Sequence, residues 1–132
     1  MTTVNPVYNN TLEEEDRSVK NMVWSLTSAN SDGYPAELPS FGIMTWQYYG
    51  AWGTATLQLE GSNDAIAKSN PAAATWFPLT RIYPGTAATA TANGGVSTNE
   101  NPRFVRPNLS IPGAGATLTV SLVAIRGTPV RT

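Results

Sequence analysis

From Thr54 to Glu60 the chain alternates strictly. Ala55, Leu57 and Leu59 fall on one side; Thr54, Thr56, Gln58 and Glu60 fall on the other. A period of two is what a strand needs when one face lies in a core and the other in solvent. Gly53 precedes the run, and Gly61-Ser62-Asn63-Asp64 closes it with turn-forming residues. The pattern returns near the end of the chain. Leu118, Val120, Leu122 and Ala124 oppose Thr117, Thr119, Ser121 and Val123, between Gly113-Ala114-Gly115 and Gly127. These two segments predict two long strands of one antiparallel assembly.

The remaining segments fit the same plan. Val19 to Thr27 predicts a strand with Trp24 and Leu26 on one face and Val23 on the other. Phe41 to Tyr49 predicts another. Phe41, Ile43, Thr45 and Gln47 oppose Met44, Trp46 and Tyr48, so apolar groups on both faces predict a strand that is central or covered on both sides. Ser28 to Gly33 reads as a loop, and Pro35 and Pro39 make the next segment loop or sheet edge. Ala65 to Lys68 predicts a helical turn stopped by Asn70-Pro71. Trp76 to Tyr83 resumes strand character through Leu79 and Ile82, and Pro84-Gly85 turns it. Thr86 to Asn93 is a thin strand or a surface loop, and Asn93-Gly94-Gly95 reads as a turn before Val96. Arg103 to Pro107 is a short strand, with Phe104 inward and both arginines outward. No helical periodicity exceeds a turn or two. About seven or eight short strands with frequent turns predict an all-β fold, an antiparallel β-sandwich or jelly roll.

Residues 1–20 differ from this body and read as an extended N-terminal arm, leaving 21–132 as the sandwich domain. The arm is polar and holds Pro6 and the acidic run Glu13 to Asp16; Thr11 and Glu14 have the spacing of a helix-capping box. Val4, Val7, Tyr8 and Leu12 are its apolar anchors, suited to laying the arm across a partner surface.

Composition narrows function mainly by exclusion. With 132 residues, one core without staples is expected. Cysteine and histidine are both absent, which removes disulfides, thiolate metal sites and the commonest general base. Net charge is −1, so nothing draws nucleic acid or an anionic membrane from a distance. Charged residues make up 13%, roughly half the usual share, and Thr, Ala, Asn, Gly and Pro replace them. Such a neutral surface suits large contacts with other protein surfaces. No apolar run reaches the roughly 20 residues of a membrane span, and the N-terminus has no secretory pattern, so synthesis in a cytoplasm is expected.

Catalytic and metal candidates are thin. Glu60 with Asp64, or with Glu100, is the one conceivable carboxylate pair. The plainer reading makes Glu60 an exposed strand end and Asp64 a turn residue bonding its own backbone. Asp32, Asn63 and Asp64 lack the dense acidic spacing of a calcium loop. Arg103-Phe104-Val105-Arg106 is better read as packing plus rim contacts than as a nucleic-acid surface. No catalytic residue, cofactor or metal is therefore expected. Four aromatic residues, Trp46, Tyr48, Tyr49 and Trp52, fall close together; Tyr49 and Trp52 flank Gly50 beside a turn and are candidates for an interface anchor or for stacking on sugar.

Taken in order, Gly53 to Asp64, Trp76-Phe77-Pro78-Leu79, Asn101 to Pro107 and Ala116 to Leu122 resemble small virion proteins of tailed bacteriophages, in which a "LEGSNDG-W" type turn and an "NPRYIRP" strand precede a C-terminal strand. The resemblance spans residues 50–126. It implies a β-sandwich or jelly roll that decorates (cements) the outer capsid surface. It further implies a homotrimer with the major capsid protein as partner, located on the virion. The same turn also resembles discoidin-like carbohydrate-binding modules. This gives the alternative, a carbohydrate-binding module or fibre-type domain reading a cell-surface glycan through Tyr49 and Trp52. Ala65 stands where that turn has Gly, and eleven residues separate Asp64 from Trp76.

Overall fold

The structure is a computed structural model that describes residues 3–4, 7–8, 19–38 and 41–126. Its strands are β1 (Thr3–Val4), β2 (Val7–Tyr8), β3 (Val19–Thr27), β4 (Asp32–Gly33), β5 (Ala36–Glu37), β6 (Phe41–Ala51), β7 (Thr56–Ser62), β8 (Phe77–Pro78), β9 (Thr89–Ala90), β10 (Gly94–Thr98), β11 (Phe104–Ile111) and β12 (Thr117–Arg126). Among the described residues five strands form one sheet in the order β10-β6-β12-β3-β2. Seven form the other, in the order β1-β4-β11-β7-β8, with β5 on β11 and β9 on β7. Pairing is antiparallel except between β1 and β4. The two sheets pack face to face as a β-sandwich.

Alternation decides which side chains meet between the sheets. Met22, Trp24 and Leu26 of β3, Met44, Trp46 and Tyr48 of β6, and Leu118, Val120, Leu122 and Ala124 of β12 line the inner face of the five-stranded sheet. Leu57 and Leu59 of β7 with Val105 and Leu109 of β11 face them, and Leu79 and Ala88 fill one end. The indoles of Trp24 and Trp46 stack with centroids 5.9 Å apart. Each indole N–H finds an acceptor: Trp24 donates to the Tyr34 carbonyl at 3.0 Å and Trp46 to Thr98 Oγ1 at 3.2 Å. Truncating either ring to alanine costs about 3–5 kcal/mol.

β6 is central, as expected, with β10 on one side and β12 on the other, and Thr45, Gln47 and Tyr49 on its outer face are exposed. Several other expectations change. Gly94 and Gly95 are not a turn: they open β10, opposite Tyr48 and Gln47. Past Pro78 the segment from Trp76 forms no further strand: Leu79 N still donates to the Leu59 carbonyl at 2.8 Å, and beyond it the chain pairs through isolated bridges, Thr80 to Ala87 and Arg81 to Thr98. The expected loop at 28–33 ends in β4, because Asp32 and Gly33 add to the edge of β11 and to β1. In the arm, Thr3–Val4 and Val7–Tyr8 run as edge strands on the two sheets. Val4, Val7 and Tyr8 are described by backbone alone; Leu12 and the capping box of Thr11 and Glu14 lie outside the described residues.

Candidate functional site

The five-stranded sheet leaves its outer face uncovered by any described segment. Register sets out its rungs: Ser97, Thr45, Val123 and Asn21 lie across the sheet, then Gly95, Gln47, Ser121 and Val23, then Tyr49, Thr119 and Ser25. None of these residues carries charge. They are the polar half of the alternating pattern, so the periodicity that builds the core also builds this face. Thr45 and Ser97 hydroxyls bond across the strands at 3.2 Å. At the β10 end, where Gly95 puts no side chain on this face, an open depression of about 500 Å³ is lined by Thr45, Trp46, Gln47, Gly94, Gly95, Val96 and Ser97.

The aromatic candidates divide. Tyr49 is 46% exposed and stands on this face. Trp52 packs against the core instead, edge-on to the Tyr48 ring with centroids 6.1 Å apart, and its indole N–H donates to Asn93 Oδ1 at 2.7 Å. The same Asn93 oxygen accepts from Gly50 N at 3.1 Å, fixing the end of β6 where the chain turns at φ +139. Trp52 is thus a structural clasp, and the two aromatics do not form one stacking platform.

The outer face of the seven-stranded sheet is closed around Glu60 and Arg106. Glu60, expected in solvent, is 5% exposed, and Arg106, expected to point outward, is 8% exposed. They are paired across β7 and β11, with Arg106 Nε 2.9 Å from Glu60 Oε1. The other carboxylate oxygen of Glu60 accepts from Gln58 Nε2 at 2.6 Å and Asn108 Nδ2 at 3.3 Å. A second arginine nitrogen lies 4.0 Å from Asp32. Burial raises the Asp32 carboxyl above its ordinary range, against the pull of Arg106. The Trp76 ring caps the group, 4.1 Å from the guanidinium carbon. Phe104 shares this face with Arg106; it is buried, but not among the side chains between the sheets.

What closes this face is the 64–76 segment, a strap of two 3-10 turns, Ala65–Lys68 and Pro71–Ala73. Asp64 behaves as the sequence predicts and also ties the strap's ends together, accepting from Ile66 N at 3.4 Å and Thr75 N at 3.3 Å. Trp76 Nε1 donates to the Pro71 carbonyl at 2.9 Å, and the Tyr34 hydroxyl donates to the Lys68 carbonyl. Glu37 bonds Arg103 at 2.8 Å and pairs with Lys68 at 3.7 Å; the Arg103 hydrogen bond holds its carboxyl below the usual range. Asn63 accepts from Arg103 N and Glu100 from Thr80 N, so the carboxylate and calcium candidates serve separate structural bonds. Among the described residues no three acidic, histidine or cysteine side chains gather as a metal site, and no helix is long and apolar enough to cross a membrane.

One exposed feature escapes the sequence reading. Ile82 and Tyr83, expected in a strand, form the tip of a hairpin and are 55% and 89% exposed. Their position just before Pro84-Gly85 was the available signal, since residues entering a tight turn sit at loop tips.

No family model matches the chain, and no curated protein does. Among solved structures, the SPBc2 prophage-derived protein YomS is similar in fold, with TM-score 0.54 at 11% identity over 80% of this chain and 94% of that one. A hypothetical protein from Leishmania major aligns over 98% of this chain and 70% of its own, at 15% identity and TM-score 0.40. The sandwich is therefore a known arrangement, shared with a protein of prophage origin.

Proposed function

We propose that this protein is a non-enzymatic virion structural protein that binds the outer surface of a phage capsid and stiffens it. It acts as a trimer, with the major capsid protein as its partner. The observation that carries this reading is the uncharged outer face of the five-stranded sheet. Burying a charge costs several kcal/mol, whereas small hydroxyl and amide groups lose little if they find new partners. Four strands about 4.8 Å apart and roughly 30 Å long span about 600 Å². That is the low end of one partner's share in a stable interface, about 600–1,000 Å². Such a face suits packing against shell subunits and neighbouring copies. Many copies then add weak contacts into firm attachment. The prophage origin of YomS points the same way. The described carboxylates are engaged in structural bonds, which supports a role without catalysis.

Co-sedimentation with shells lacking the protein tests this. Wild type is expected to pellet with shells, and Ser25→Glu, which puts a charge on an exposed position of the face, to bind at least tenfold more weakly. Deleting residues 1–16 tests Val4, Val7, Tyr8 and Leu12 as shell anchors: the sandwich should stay folded and attachment should fall. A wild-type protein that ignores shells refutes the reading. The glycan alternative would rest on Tyr49 alone, since Trp52 is engaged by Asn93. Titration against a glycan panel is expected to show no binding.

A further inference from the structure

Asn93-Gly94 is the chain's single Asn-Gly step. The side-chain amide of an asparagine can close a five-membered ring with the backbone nitrogen of the next residue, and a glycine there puts no Cβ in the way. Both residues are exposed, where a bend leads into β10. Gly94 is the first rung of β10, opposite Tyr48, and β10 is the edge of its sheet. Fraying of one strand end therefore releases its backbone, with no opening of the core.

The surroundings of the Asn93 amide set this step apart. Trp52 Nε1 donates to Asn93 Oδ1 at 2.7 Å, and Gly50 N donates to the same oxygen at 3.1 Å. Both partners are N–H groups, so the amide oxygen is the atom that faces them. Each donor is fixed: Trp52 packs against the core and edge-on to Tyr48, and Gly50 ends β6 at φ +139. Two fixed N–H donors converging on one carbonyl oxygen are the arrangement that stabilises an oxyanion. The bonds that make Trp52 a clasp thus also polarise Asn93 Cγ toward attack, and Gly94 N is the nucleophile that closes the ring.

We infer that Asn93 is a self-modification site, at which the folded chain converts its own asparagine to aspartate. Gly94 N gives its proton to solvent base and bonds to Asn93 Cγ, and negative charge gathers on Oδ1 between the two donors. The Cγ–Nδ2 bond breaks, and Nδ2 takes a proton from water and leaves as ammonia. Water then opens the succinimide. Addition at Cγ, the carbonyl that the donors polarise, breaks the new Cγ–N bond and gives aspartate with the normal backbone. Addition at the backbone carbonyl would give isoaspartate and lengthen the chain just ahead of β10. Nothing is oxidised or reduced: amide and water become carboxylic acid and ammonia. The product carboxylate keeps both N–H donors, now as charge-assisted bonds.

A time course of the purified full chain at mildly alkaline pH, folded and in urea, tests this. Mass spectrometry of the tryptic fragment 82–103 reads it, with Asn99 and Asn101 as references in the same fragment. The folded chain is expected to convert Asn93 at least as fast as the unfolded chain and to yield mainly aspartate; the unfolded chain, lacking the donors, should yield mainly isoaspartate. Trp52→Phe keeps a ring and removes the N–H. It should slow conversion in the folded chain at least about fivefold, move the product toward isoaspartate, and change nothing in urea. Gly94→Ala has no positive φ to adopt and meets Tyr48 at 3.4 Å, so it should fold. It should slow conversion at least about tenfold in both states, because a Cβ hinders the attacking nitrogen. Asn93→Asp carries the product and should melt no lower than wild type at neutral pH. A folded chain that keeps Asn93 while the unfolded chain loses it overturns the inference. So does Trp52→Phe converting as fast as wild type, or Asn93→Asp melting lower.

Discussion

Replacing Arg106 by methionine should be among the most damaging single changes in the described structure. The substitution keeps an unbranched apolar stem and removes the guanidinium, with its charge, its donors and its contact with the Trp76 ring. Glu60 then loses its 2.9 Å partner while only 7% of its side chain is exposed, and Asp32 loses the cation 4.0 Å away. Gln58 and Asn108 still donate to Glu60, so the carboxylate keeps hydrogen bonds but no counter-charge. Breaking a buried pair from one side costs about 3–5 kcal/mol. At about 2.1 cal/mol/K of unfolding entropy per residue, 4 kcal/mol corresponds to a fall of roughly 14 °C in Tm for a chain of this length. Urea titration should show the loss as a lower midpoint with an unchanged slope. The double variant Arg106→Met with Glu60→Leu should recover at least half, because it removes the more deeply buried carboxylate together with its partner and leaves only Asp32 without its cation. An Arg106→Met midpoint within about 1 kcal/mol of wild type, or a double variant as unstable as the two losses added, would refute the assignment of a closed, dry face.

Three further outcomes follow from the same geometry. Burial raises the Asp32 carboxyl, so its charged form is disfavoured on folding; its effect on stability is most favourable below the unfolded carboxylate value near 4 and worsens as pH rises through the folded value. Asp32→Asn should accordingly be more stable than wild type at pH 7, with the gap closing by about pH 3.5; denaturant midpoints across pH check it, and a less stable variant at pH 7 contradicts the sign. Asp64→Ala removes both bonds that gather the strap and should cost about 1 kcal/mol, with faster tryptic cleavage after Lys68, whose side chain is 71% exposed. Gly50→Ala places a methyl 2.3 Å from the Thr117 carbonyl oxygen at φ +139, so thermal unfolding should show a loss of at least about 2 kcal/mol, and a neutral substitution contradicts the geometry of the β6 end.

The long strands were legible because a single rule governs them. Where one face is buried and the other wet, hydrophobicity alternates, as it does from Met22 to Leu26 in β3, from Thr56 to Leu59 in β7 and from Thr117 to Ala124 in β12. The rule fails where both faces of a sheet are covered for different reasons. Glu60 and Arg106 carry the polar signature of solvent, yet they are buried, because the covering layer is the strap and each satisfies the other's charge. Nothing local to Glu60 announces a partner 46 residues away. Gly94 and Gly95 failed differently. Their turn propensity is real, but pairing with Tyr48 and Gln47 overrides it. The tip at Tyr83 was hidden by its strand-like composition. Only the register shows that the regular ladder with β7 ends at Pro78, leaving Leu79 one backbone bond to Leu59 and the residues after it isolated bridges.

The strap also makes the two sides of the sandwich unequal. A bare two-layer sandwich offers two wet faces, and a partner could take either. Here one face is covered over Glu60 and Arg106 by 13 residues of the chain itself, from 64 to 76, stapled by Trp76 and Asp64, and the described residues leave the other open. The molecule therefore has a front and a back. Anything that adheres to it by its open sheet receives every copy the same way up, so a layer of such copies would present one uniform outer skin, made of strap residues, to the surrounding medium.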